Sequence, residues 1–155
     1  MIPLAELNRV SAEVGIDVAT VERDYAISWL LYGVFDQKTL ADAFVFKGGT
    51  ALRKCYFSNY RFSQDLDFTL LYLVSETELN EGLSSACQKA YDDSGIEYQL
   101  LSVEKTRDEQ GEEAFEAKVA FVGPRKQRGK SYQNIVTSYP FRKSFSQSCE
   151  VASNP

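Results

Sequence analysis

Leu4, Leu7, Val10 and Val14 recur at helical spacing behind Pro3, which suits a first turn, so the chain is expected to open with a short amphipathic helix. A stronger helix is predicted from about Val18 to Val34. Asp17 is placed to cap it, and Val21, Tyr25, Ile27, Trp29, Leu30, Leu31 and Val34 give it a broad apolar face. A third short helix is read around Gln37 to Phe44, and Phe44, Val45 and Phe46 read as a short buried strand that ends at two glycines. Thr50 to Phe57 favour helix again, which sets the glycines at a strand-to-helix turn. DLDFTLLYL, residues 65 to 73, alternates as a strand.

Ser75 and Glu78 form a capping-box pattern for a helix reaching about Asp93, where Ser94 and Gly95 end it. IEYQLLSVEK and EEAFEAKVAFV then read as antiparallel strands joined by the polar turn TRDEQG. GPRKQRGK is a basic connection, and SYQNIVTSYPF reads as one more strand. There is no internal repeat. The pattern is α+β: helices first, then a small mixed sheet with one long helix.

The chain's 155 residues fit one domain, and an apolar fraction of 44% with ten Phe and nine Tyr supports a packed core. Those aromatics read as core, or in part as cover for an interface. MIPLAELNRV has neither a basic start nor an apolar run, and no stretch is long enough to span a bilayer. Cys55, Cys87 and Cys149 are an odd, widely spaced set with no CxxC pair, so reduced thiols and a cytoplasmic location are expected. Cys55 and Trp29 are expected to be core residues rather than reactive groups.

Histidine is absent. That excludes Ser–His and Cys–His nucleophilic schemes and every His-based metal site. The net charge of −5 is unevenly spread. Residues 62 to 117 hold fourteen acids and three bases, while residues 47 to 61 hold four bases and no acid. Residues 118 to 149 hold seven bases and no acid. The basic segment with Arg125, Lys126, Arg128 and Lys130 could hold phosphates or simply lie solvated on a hairpin.

Candidate chemistry concentrates in KGGTALRKCYFSNYRFSQDLDF, residues 47 to 68. On a strand, Asp65 and Asp67 point the same way while Leu66 enters the core. Two adjacent carboxylates repel unless a proton or cation intervenes. Magnesium, a hard ion that takes one or two carboxylates and completes its shell with phosphates, is the natural partner. The alternative is an exposed edge with solvated acids. Gly48 and Gly49 at a helix start leave N–H groups open to an anion, with the Thr50 hydroxyl beside them; alternatively they form a tight turn that needs glycine. A phosphate-type turn and a carboxylate pair within one strand–helix–strand unit are more specific than either alone.

VFKGGTALRK followed by YRFSQDLDF resembles the AbiEii/AbiGii type of nucleotidyltransferase toxin, within the superfamily that shares the DNA polymerase beta catalytic core. VERDYAISWLL, residues 21 to 31, resembles the helix these proteins place ahead of the motif. The resemblance implies that Gly48, Gly49 and Thr50 bind the incoming triphosphate and that Asp65 and Asp67 hold Mg²⁺ (or Mn²⁺) and are catalytic. It also places Lys47, Arg61 and Ser63 around the site. It implies an NTP substrate, an RNA acceptor such as tRNA, and a cognate antitoxin, in toxin–antitoxin or phage-defence settings.

The superfamily's third carboxylate has no counterpart in the strand after the basic hairpin, because Lys118 to Cys149 hold no acid. Glu113 and Glu116 are the nearest upstream candidates. A nucleotidyltransferase-like domain is expected over 1–143 and an irregular tail over 144–155, as in a shortened member of the family. The alternative to an enzyme is a catalytically dead nucleotide- or RNA-binding module, or one that acts through an antitoxin.

Overall fold

The computed structural model describes residues 1–57, 59–108, 111–126 and 132–138. The expected tail over 144–155, Cys149, Arg128 and Lys130 lie outside the described residues. Helix α1 spans Leu4–Val14, α2 Val18–Asp36 and α3 Lys38–Ala43. Strand β1, Phe44–Lys47, runs into α4, Gly48–Ala51, which continues as a π-helical turn over Leu52–Tyr56. Strand β2 covers Asp65–Leu70 and α5 Glu76–Ser94, followed by β3 (Glu97–Arg107), β4 (Glu113–Val122) and β5 (Tyr132–Ser138).

Local chemistry sets several ends where the sequence places them. The Asp17 carboxylate accepts from the N–H groups of Ala19 and Thr20 and caps α2. Ser75 and Glu78 form a reciprocal capping box on α5, and Gly95 in the left-handed region closes it.

The strands form one mixed sheet in the order β1-β2-β5-β4-β3, with β2 and β5 parallel and the other pairs antiparallel. The α+β expectation holds. Leu66, Phe68 and Leu70 of β2 are fully buried and join Ile135, Ala117, Phe115 and Val103 in one apolar cluster. Helices close that cluster through Ile27, Leu30 and Val34 of α2, Leu40 of α3, and Leu79, Leu83 and Ala86 of α5. A Cβ on Gly33 would stand 2.2 Å from the Ala86 carbonyl oxygen, so glycine lets α2 and α5 approach at backbone distance.

The other sheet face is polar. Lys47, Asp65, Asp67, Asn134, Glu116 and Lys118 lie on it, half-buried or exposed. Single-faced burial turns the period-two pattern of β2 into a two-sided strand, with core on one side and chemistry on the other.

One expected core residue sits elsewhere. Cys55 is exposed: it falls in the π-helical turn, which has no buried residue, so the general tendency of cysteine to be buried does not hold there. Trp29 is half-buried and packs against a small core cluster of Ala26, Ile96 and Phe121, with its ring edge-on to Tyr32 at 5.8 Å. Cys87 is the buried thiol.

Candidate active site

Asp65 and Asp67 project from β2 on the polar face, half-buried, with Leu66 between them in the core. The sheet register places Lys47 of β1 and Val136 of β5 on either side of Asp67, and Asn134 beside Asp65. Lys47 Nζ donates to Ser138 Oγ at 2.8 Å, an exposed contact that spans from β1 to β5. Burial pushes the Asp67 carboxyl above the usual carboxylate range, the neighbouring Asp65 pushes it further, and Lys47 opposes both.

The glycine turn touches this pair directly. Gly48 has φ +76°, and a Cβ there would stand 2.1 Å from Asp67 Oδ2 and 2.9 Å from Asp67 Cγ. Only glycine permits both the backbone conformation and the contact. A Cβ on Gly49 would lie 3.2 Å from Ser63 Oγ and 3.9 Å from the Tyr60 ring, so the segment leading to β2 rests against the turn. Thr50 is buried, and its hydroxyl donates to the Asp65 carbonyl at 2.6 Å. That hydroxyl ties the turn to the start of β2.

Lys47 and Arg61 are exposed. Arg53 and Lys54 turn instead toward Asp24 of α2. Arg125 is likewise engaged: its N–H donates to Glu22 Oε1 at 2.7 Å, and its guanidinium stands 3.6 Å from Glu22 Oε2. Glu22 is only 2% exposed, so this pairing satisfies a buried carboxylate of α2. Lys126 is exposed beside it. Sequence reasoning missed Asp24, Glu22 and Ser138 as partners, since each contact spans 29 or more residues or crosses the sheet.

Two side-by-side carboxylates, one disfavoured in its charged form by the other, suit a divalent cation bound by oxygen. Asp65 and Asp67 are the residues that fit. A third acid does not join them: β5 presents Asn134 and Val136, and among the described residues no three acids converge to hold a metal ion. Glu116 lies in register with Val136, two strands from Asp67, which is about 10 Å at the backbone.

The fold thus sets a glycine turn against a carboxylate pair on the next strand. Residues 29–145 match the family described as "Nucleotidyl transferase AbiEii toxin, Type IV TA system". The chain belongs to the AbiEii family. Among solved structures it is similar to one described as "putative nucleotidyltransferase from H. pylori", at 23% identity and a TM-score of 0.48. That match covers 79% of this chain and 48% of the other, so the chain spans about half the length of this relative. No curated protein matches the chain significantly. Among the described residues no helix is long and apolar enough to cross a membrane.

Proposed function

We propose that the chain carries the site of a nucleotidyltransferase that moves a nucleotide from an NTP to an acceptor such as tRNA, an acceptor hydroxyl bonding to the α-phosphorus as pyrophosphate leaves. The observation that carries this reading is the contact between Gly48 and the half-buried Asp67 carboxylate, which puts an anion-accepting turn against a cation-accepting pair. Asp65 and Asp67 hold Mg²⁺ or Mn²⁺ in this reading. A bound divalent ion supplies neutralisation of phosphate charge and acidification of an attacking hydroxyl. The main-chain N–H groups of Gly48, Gly49 and Thr50 face the triphosphate, with the Ser63 hydroxyl beside Gly49. Lys47 and Arg61 add positive charge where it remains accessible to phosphate. Thr50 contributes a second way, by holding Asp65 through its carbonyl.

Incubation with α-labelled NTPs, Mg²⁺ and a tRNA pool tests this. Label is expected on RNA with the wild type and not with Asp67→Asn; label transfer that survives Asp67→Asn refutes the assignment.

A second reading is favoured by Val136. It occupies the β5 position beside Asp67, and Lys118 to Cys149 supply no acid. On this reading the site binds a nucleotide with its cation without turning it over, and the family's antitoxin is the partner through which the chain acts. Triphosphate binding with no label on any acceptor distinguishes it.

A further inference from the structure

The four bases between Lys47 and Arg61 divide into an exposed pair and an inward pair. Lys54 Nζ lies 2.7 Å from Asp24 Oδ2 and donates to Ser28 Oγ at 2.8 Å and to the Asp24 carbonyl at 3.3 Å. These contacts engage all the donors of an ammonium. Arg53 has a different task. Its Nε stands 3.6 Å from Asp24 Oδ1, and its Nη1 donates to the Tyr60 carbonyl at 2.7 Å. Its guanidinium carbon sits 3.6 Å over the Phe62 ring. Asp24, Arg53 and Lys54 side chains are 22%, 20% and 19% exposed, so solvent screens these pairs less than surface ones.

Arg53 thus grips the residue before Arg61 by its carbonyl and the residue after it by its ring. The gripped segment is the one that rests on the glycine turn, through Tyr60 and Ser63 against Gly49. We infer that Asp24 and Arg53 are positioning residues: their pairing anchors Tyr60–Phe62 to α2 and so presents Arg61 and Ser63, beside the Gly48–Gly49 turn, to the phosphates of a nucleoside triphosphate. This rests on the nucleotide reading above. Arg61 is the group that meets phosphate; Arg53 acts through it.

Arg53→Lys tests the inference, because it keeps a positive charge near Asp24 but loses the planar fork that reaches Tyr60 and stacks on Phe62. Hydrogen exchange across residues 59 to 64 is measured first, with no nucleotide present. It is expected to quicken about tenfold in Arg53→Lys and in Asp24→Asn, while β4 keeps its protection. Binding of a non-hydrolysable triphosphate with Mn²⁺ is measured next in Arg53→Lys, Arg61→Ala and the double variant. Each single change is expected to raise Kd about tenfold, and the double variant to match Arg61→Ala within about twofold, since residues acting through one another are not additive.

Unchanged exchange over 59 to 64, or losses that add in the double variant, overturns the inference. A wild type that binds no triphosphate overturns the nucleotide reading itself. Quickened exchange in that case leaves Arg53 an anchor of the segment and nothing more, which removes the phosphate role and with it the inference.

Discussion

Gly48→Ala separates the two demands that the turn makes of one residue. The φ of +76° is the first: a residue with a Cβ held in the left-handed region costs about 1–2 kcal/mol. The second is contact. The new Cβ would lie 2.1 Å from Asp67 Oδ2, with Cγ and Cβ of the same side chain at 2.9 and 3.0 Å, so the whole carboxylate has to swing away. Displacing it from its rotamer adds roughly 0.5–1.5 kcal/mol. The sum is about 1.5–3.5 kcal/mol, which for a domain of this size lowers Tm by roughly 3–14 °C. Gly49→Ala is the control, because its Cβ would meet Ser63 Oγ and Cβ at 3.2 and 3.3 Å and the Tyr60 ring at 3.9 Å, none of them a clash like that at Gly48, with no positive φ to abandon. Calorimetric melting of both variants in a chelator reads the stability difference, and a Mn²⁺ titration by calorimetry reads the carboxylate. Gly48→Ala is expected to melt lower than Gly49→Ala and to lose at least about tenfold in Mn²⁺ affinity, since the ligand itself has moved. Equal melting of the two variants would refute the argument from φ and contact. Unchanged Mn²⁺ affinity in Gly48→Ala would refute the claim that the turn sets the position of Asp67.

Other consequences can be measured directly. The fold raises the Asp67 carboxyl above its ordinary value, so the native state binds that proton more tightly than the unfolded chain does. Its contribution to stability is therefore present at low pH and is lost as pH rises from the ordinary carboxylate value through the raised one. Asp67→Asn in chelator is expected to melt higher than the wild type near neutral pH and to lose that advantage on acidification, in melts recorded across pH. Glu22→Ala strands the Arg125 guanidinium and main-chain N–H, and a loss of about 3 kcal/mol or more is expected in urea unfolding. Phe68→Ala empties the centre of the sheet's apolar face and is expected to cost about 3–5 kcal/mol by the same assay. Under native conditions a thiol reagent is expected to label Cys55 and spare Cys87, which is buried with its thiol pushed up to about 12, as peptide mass spectrometry can show.

Much of this architecture is written locally in the chain. Asp17 and the Ser75–Glu78 pair announce their helix starts by their own hydrogen bonds, and DLDF announces a strand with a dry and a wet side by alternation alone. The carboxylate pair and the glycine turn were legible for the same reason, since each is a short-range pattern. The parts that were not legible depend on who meets whom across the fold. Nothing near Thr50 says that its hydroxyl will be taken by the Asp65 carbonyl, and nothing near Arg53 or Lys54 says that Asp24 will draw them inward. The parallel pairing of β2 with β5 joins strands more than sixty residues apart, and it alone reveals that Val136 stands beside Asp67. Cys55 was misplaced because the tendency of a residue type to be buried does not say which turn of the fold will cover it, and the π-helical turn buries none of its residues.

Whether triphosphate and metal meet at Asp65 and Asp67 can be read from thermal melting with each NTP, with and without Mg²⁺. The wild type and Asp65→Asn/Asp67→Asn are compared side by side. Ligand at about a hundred times its Kd adds roughly 2.7 kcal/mol, several degrees for a domain of this size. A Mg²⁺-dependent rise is expected in the wild type and is expected to disappear in the double variant. A cooperatively melting wild type that no triphosphate shifts, or a shift that the double variant keeps, would contradict the assignment.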